Sequence, residues 1–188
     1  MNHYQVTIIV AVVAVLVVVG VIGFLLTRKR RTQLLRERFG PEYDRVVKKE
    51  GDVHQAEAVL QFRKERREKL EIKPISSATR SDFAMRWTSV QSQFVDDPKG
   101  AVSQADHLVS ELMHARGYPV GEFDQRAADI SVDHPVVVDN YRAAHEIAIH
   151  HASGQASTED LRKAMVHYRS LFDELLETSL PERKEARG

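Results

Sequence analysis

Residues Val6 to Leu26 form an uncharged, almost wholly apolar run, and Arg28-Lys29-Arg30-Arg31 follow at once. The run is 21 residues long. As a helix rising about 1.5 Å per residue it spans roughly 31 Å, the thickness of a bilayer's hydrocarbon core. Val and Ile dominate it, and both are mediocre helix formers in water. In lipid, however, every backbone group must bond within the segment, so helix is imposed. The expectation is a transmembrane helix over residues 6–27, after a short flank over residues 1–5. Gly20 and Gly23 stand three apart, not four, so the close-packing signal for helix dimers is weak.

A cleaved signal peptide is the rival reading. It needs a basic n-region, a shorter apolar core and a small-x-small cleavage site. Met1 to Gln5 hold no Lys or Arg, and no Ala-x-Ala follows the run. The Lys/Arg bias lies wholly on the C-terminal side, which predicts the N-terminus outside and the rest in the cytoplasm, at the plasma membrane. Arg28, Lys29, Arg30 and Arg31 are then the residues at the membrane surface, facing anionic headgroups.

The formal net charge is zero, but it is split. Residues 28–73 hold 15 Lys/Arg and 9 Asp/Glu, and residues 74–188 hold 12 and 18. One account is attraction to anionic lipid near the membrane, at about 1 kcal/mol per basic residue, and repulsion beyond it. The other is that the basic segment folds back onto the acidic part, or onto a partner's acidic face. Nucleic acid is not an expected partner, because the basic residues are interleaved with Glu and few aromatics accompany them. There is no cysteine, which excludes disulfides, thiol catalysis and Cys-based zinc sites within this chain.

Beyond the run the pattern is helical, with no alternating Val/Ile/Thr stretches bounded by hairpin turns. Thr32 to Phe39 should extend the first helix until Gly40-Pro41 interrupts it, Pro41 opening the next. Asp52 reads as an N-cap with Gln55 three residues on, for a helix to about Glu71. Its stripe of Val53, Ala56, Val59, Leu60 and Leu70 is thin. Arg63 to Lys69 reads as a solvated face of i, i+4 charge pairs. Residues 28–73 are therefore expected to be a basic helical stalk next to the membrane.

Pro74 and Ser76-Ser77 mark a break before an acidic helical bundle, residues 74–180. Phe83, Trp87, Val90 and Phe94 share one helix face, and Trp87 is expected in the core or at an interface. Asp97-Pro98 reads as N-cap and first-turn proline for a helix bearing Ala101, Ala105, Leu108, Val109, Leu112 and Met113, with Gly117 as its cap. A short helix carries Phe123, Ala127 and Ile130. His134-Pro135 is expected to open another, with Val137, Tyr141, Ala144, Ala148 and His151 in line, ended by Gly154. Ser157 with Asp160 resembles a capping box for the last helix, whose stripe runs from Leu161 to Leu175. A charged tail, residues 181–188, closes the chain. Val95-Asp96-Asp97-Pro98 is echoed by Val132-Asp133-His134-Pro135, each at an expected helix start. Acidic residues followed by Pro suit any helix N-terminus, so the echo is weak grounds for a repeat. The fold class expected is all-α: one transmembrane helix, a charged helical stalk and an antiparallel bundle of about five helices.

Nine histidines invite a metal reading. His145-Glu146 fails the zinc-protease pattern, since position 149 is Ile149 and His150 falls one residue late. Glu111 and His114 have the Glu-x-x-His spacing of di-iron bundles, but no second such motif exists. Glu146 and His150, like His107 and Glu111, lie four apart on one face. The metal-ligating candidates are therefore Glu111, His114, Glu146 and His150. Against them stands the plainer account of surface residues at helical spacing. No phosphate-binding loop and no Gly-x-Ser-x-Gly elbow occurs, and no cofactor is implied. Arg126-Ala127-Ala128-Asp129 and Tyr141-Arg142-Ala143-Ala144-His145 read as polar links between helices.

The stretches RFGPEYDR (Arg38 to Arg45), RWTSVQSQFVDDPKGAVSQAD (Arg86 to Asp106), RGYP (Arg116 to Pro119) and RAADISVDHPVVVDNYRAAH (Arg126 to His145) resemble a family of single-pass membrane proteins of high-GC Gram-positive and other soil bacteria. Members are often described only as hypothetical, membrane or secreted proteins. The resemblance covers about residues 35–178. It implies no activity and carries over no catalytic or binding residue. Three functional classes remain as expectations. The first is a membrane-anchored interaction or scaffold protein with a protein partner. The second is a metal-dependent helical enzyme or sensor. The third is an envelope or secreted helical protein.

Overall fold

The structure, a computed structural model, describes residues 3–152 and 157–177; along the first helix it describes side chains at Tyr4 and from Leu16 on. The described residues form eight helices and no strand. They are α1 (His3–Phe39), α2 (Pro41–Glu50), α3 (Val53–Glu68), α4 (Ser77–Gln93), α5 (Pro98–Ala115), α6 (Phe123–Asp133), α7 (Val138–Ala152) and α8 (Thr158–Glu177). The all-α expectation holds. Among the described residues no helix is long and apolar enough to cross a membrane. The run Val6–Leu26 enters that statement only from Leu16, so residues 6–15 of the expected anchor lie outside the described side chains. Gly154 and the tail 181–188 also lie outside the described residues.

Local chemistry sets the boundaries. α1 runs without a break into the basic segment and stops at Gly40, whose φ of 46° suits glycine, and Pro41 begins α2. The Asp52 carboxylate accepts from the Gln55 N–H at 2.9 Å, the Ser76 hydroxyl from Thr79 at 3.1 Å and Asp97 from Gly100 at 2.9 Å. Ser157 and Asp160 close a reciprocal capping box, each side chain accepting from the other's N–H at 3.2 and 3.1 Å. Each such cap contributes about 1 kcal/mol.

Two boundaries differ from expectation. α3 ends at Glu68, three residues early, because Leu70, Ile72 and Ile75 turn inward to pack on the main core as an extended strap. The strap is pinned where the Lys73 N–H donates to the Arg116 carbonyl at 2.8 Å. Gly117 caps α5 with a φ of 95°, and a Cβ there would strike the Glu71 carbonyl. His134-Pro135 does not open a helix. The His134 N–H donates to the Ile130 carbonyl at 2.9 Å and ends α6, while its buried ring meets Glu174 of α8 at 3.0 Å. With that side chain held in the interior it cannot cap, and α7 starts at Val138. The echo with residues 95–98 therefore pairs a helix start with a helix end.

Helices α4 to α8 surround the larger core. All seven apolar positions of the α8 stripe are buried, with Trp87 of α4 stacked on Phe172 at 4.6 Å. Asn140 meets Ser170 and His134 meets Glu174, so the start of α7 lies beside the end of α8, as an antiparallel pair requires. A second, smaller core joins Leu35 and Phe39 of α1, Tyr43 and Val46 of α2 and Ala56 and Leu60 of α3 to Val132 of α6.

Arg63 to Lys69 is not the solvated face expected. Lys64 does pair with Glu68 at 3.6 Å, but the arginines point at α6. Arg66 meets the fully buried Asp129 at 3.0 Å, Arg67 pairs with Asp133, and Arg63 reaches Ser131 at 3.3 Å. Glu42, fully buried, accepts from Arg63 at 2.6 Å and from both terminal nitrogens of Arg142 at 2.7 and 2.8 Å. The basic segment thus folds back onto the acidic part of its own chain. The physical reason is supply: α6 carries the buried carboxylate of Asp129 and the half-buried one of Asp133, and buried charge must be paired.

Two stability tests follow from these contacts. Glu42→Leu leaves two nearly buried guanidinium groups facing each other, and should lower unfolding stability by about 3 kcal/mol. Adding Arg63→Met and Arg142→Leu should restore most of that loss. Urea melts of the full chain in detergent measure both. Gly117→Ala should cost more than about 1 kcal/mol in the same melts, combining the left-handed backbone with the Glu71 collision.

Candidate functional site

A cavity of about 680 Å³ opens between α4, α5 and α6. Phe83 forms one wall and the face of α5 carrying Asp106, Ser110 and His114 the floor. Val120 and Arg126 close the far side. Helical spacing explains the floor: Asp106, Ser110 and His114 are successive i, i+4 neighbours, directly beside the apolar stripe that packs on α8.

Beneath the floor lies a cluster of aromatic and polar groups. Arg126 Nε donates to the Tyr141 hydroxyl at 3.1 Å. Asp106 lies next to the Tyr168 hydroxyl, and Ser110 next to that of Tyr141, but neither pair closes into a well-formed hydrogen bond. Burial, with the Asp106 charge next in weight, pushes the Tyr141 phenol up to about 12. The same two causes raise Tyr168 further. The His145 ring stacks on Phe123 at 3.5 Å, and burial lowers its pKa against the opposing pull of Asp106. At neutral pH the cluster is thus a set of neutral rings around one carboxylate and one guanidinium. Ser110 Oγ and His145 Nδ1 each lack a hydrogen bond among the described residues, so no serine–histidine nucleophile pair forms here. The arrangement suits holding polar groups.

The expected metal ligands are not brought together. Among the described residues no three His, Asp or Glu side chains could share an ion. Glu111 is engaged by Arg86 at 2.5 Å and by His107 at 2.8 Å. His114 sits on the cavity wall, whereas Glu146 lines a different cavity beside α2 and α3. Of the residues expected at a membrane surface, Arg28 meets His54 of α3, and Lys29, Arg30 and Arg31 are exposed. The expected polar links are present: Arg126 to Tyr141, Arg142 to Glu42 and Asp129 to Arg66. Asp106, Ser110 and Tyr168 were not legible as a group. The available signal was a polar residue at i, i+4 inside a run of buried Ala, Leu and Val.

No family model, curated protein or solved structure matches this chain.

His145 provides a pH test. Its pKa is lowered from 6.5 in the folded chain, so the unfolded chain binds more protons as pH falls. The stability from neutral His145 is complete above the ordinary value and is lost on acidification through the folded one. In an NMR titration the His145 ring should have its midpoint below 6.5, and His145→Phe should reduce the acid-side loss of stability.

Proposed function

We propose that this chain is a membrane-anchored helical interaction module, its head held beside the inner leaflet by the same helix that enters the bilayer. One observation carries the reading. α1 is a single helix of 37 residues with two unlike ends. From Leu16 to Leu26 its apolar side chains stand more than half exposed, while Leu35 and Phe39 are buried in the second core. An apolar surface of that extent in water is costly, and a bilayer or an apolar partner relieves the cost. The exposed Lys29, Arg30 and Arg31 between the two ends match the position of lipid headgroups and support a cytoplasmic head.

The experiment is a fluorescent-protein fusion at the C-terminus, read in intact bacterial cells. A fluorescent membrane fraction is expected. A dark fusion whose protein is cut by external protease would place the head outside and overturn the topology. Replacing Arg28, Lys29, Arg30 and Arg31 together by Gln should produce a mixture of both orientations.

A further inference from the structure

We infer that the cavity between α4, α5 and α6 binds a small zwitterion, an amine and a carboxylate on one compact molecule of amino-acid or dipeptide size. The size is right, because cavities of about 300–1,000 Å³ hold small ligands and this one measures about 680 Å³. The chemistry is argued from groups left unmet. Ser110 is more than nine-tenths buried, lines the cavity, and its Oγ lacks a hydrogen bond. One turn earlier Asp106 lines the same floor, its buried Oδ1 also without a hydrogen bond and its carboxylate without a salt bridge among the described residues. A protonated amine has three donors and no acceptor, so a carboxylate and a hydroxyl on one helix face complement it. Across the cavity Arg126 spends its Nε on Tyr141, and its two terminal nitrogens form a fork suited to a carboxylate. Asp106 and Arg126 do not form a salt bridge with each other, so the cavity keeps the two signs apart. Phe83 and Val120 add apolar flanks for a side chain.

In the cavity beside α2, Glu42 is saturated by Arg63 and Arg142. In the small groove of α8, Arg162 is taken by Glu159 and Arg169 by Asp173. Near the mouth of the α5 cavity, Glu111 is likewise balanced by Arg86 and His107, which leaves Asp106 and Arg126 to define the preference.

The test is calorimetric titration of the full chain in detergent or nanodiscs, with L-leucine and glycyl-L-leucine as probes. Isoamylamine and isovalerate serve as single-charge controls. At least one zwitterion should bind about tenfold more tightly than either control. Asp106→Asn and Arg126→Gln should each weaken it about tenfold, and Arg162→Gln should leave it unchanged. Asp106 and Arg126 also touch the tyrosine cluster, so Ser110→Ala provides a variant with an intact charge pair, expected to weaken binding about threefold to tenfold. The inference is overturned if neither zwitterion binds at about 10 mM. It is equally overturned if a single-charge control binds as tightly as the zwitterion, or if folded variants bind as well as the parent chain.

Discussion

Glu42 sits on α2 with its carboxylate fully buried, gripped by Arg63 from α3 and by both terminal nitrogens of Arg142 from α7. Three helices from both halves of the sequence therefore meet on one side chain. Its neighbours repeat the theme: Arg66 on Asp129, Arg67 on Asp133 and Arg45 on Asp139. Magnitudes decide what each kind of contact does. Within each core, fully burying a Leu or Phe contributes about 1.5–3 kcal/mol, so apolar packing holds each core together. Across the junction the smaller core receives only Val132 from the acidic part. A buried ion pair is near break-even against an apolar replacement, but breaking one costs several kcal/mol. The junction is thus specified by charge more than glued by it. Arginine suits the task, since its planar fork satisfies both carboxylate oxygens, as Arg142 does on Glu42.

This junction gives α1 its mechanical meaning. A helix ending in a flexible linker would only tether the head. Here Leu35 and Phe39 are buried against α2 and α3, and α3 is clamped to α6. Orientation is transmitted from the apolar end of α1 through two packed helices to the bundle. Because Glu42, Arg63, Arg142 and Asp129 are largely removed from solvent, salt screens their pairing far less than it screens Lys29, Arg30 and Arg31.

Three element starts were legible because capping is local. Asp52, Asp97 and Ser157 each act within three residues, and the apolar stripes of α5 and α8 report their own buried faces. The junction was not legible, because Glu42 and Arg142 are 100 residues apart and nothing at either position names the other. Periodicity shows that a charged face exists, not what it meets. The metal candidates meet the same limit. Spacing places Glu111 and His107 on one face, but the facing residue is Arg86 of α4, not a ligand from α7. His134 misled differently: the pattern of acidic residue and proline is right for a helix start, and burial against Glu174 overrode it.

α6 shows how the two parts of the molecule depend on each other. At 11 residues it is shorter than the roughly 12–15 at which even favourable isolated helices become marginal in water. Its existence therefore rests on what surrounds it. Ala127 and Ile130 enter the larger core and Val132 the smaller, while Asp129 and Asp133 face the arginines of α3 and Arg126 faces the cavity. Asp133 also accepts from the Tyr118 hydroxyl at 2.5 Å, next to the strap that follows α3. A helix so short, with each face committed to a different neighbour, cannot shift without disturbing several of them. The acidic residues that give the bundle its negative balance are, on this helix, the groups that fix its position between the two cores.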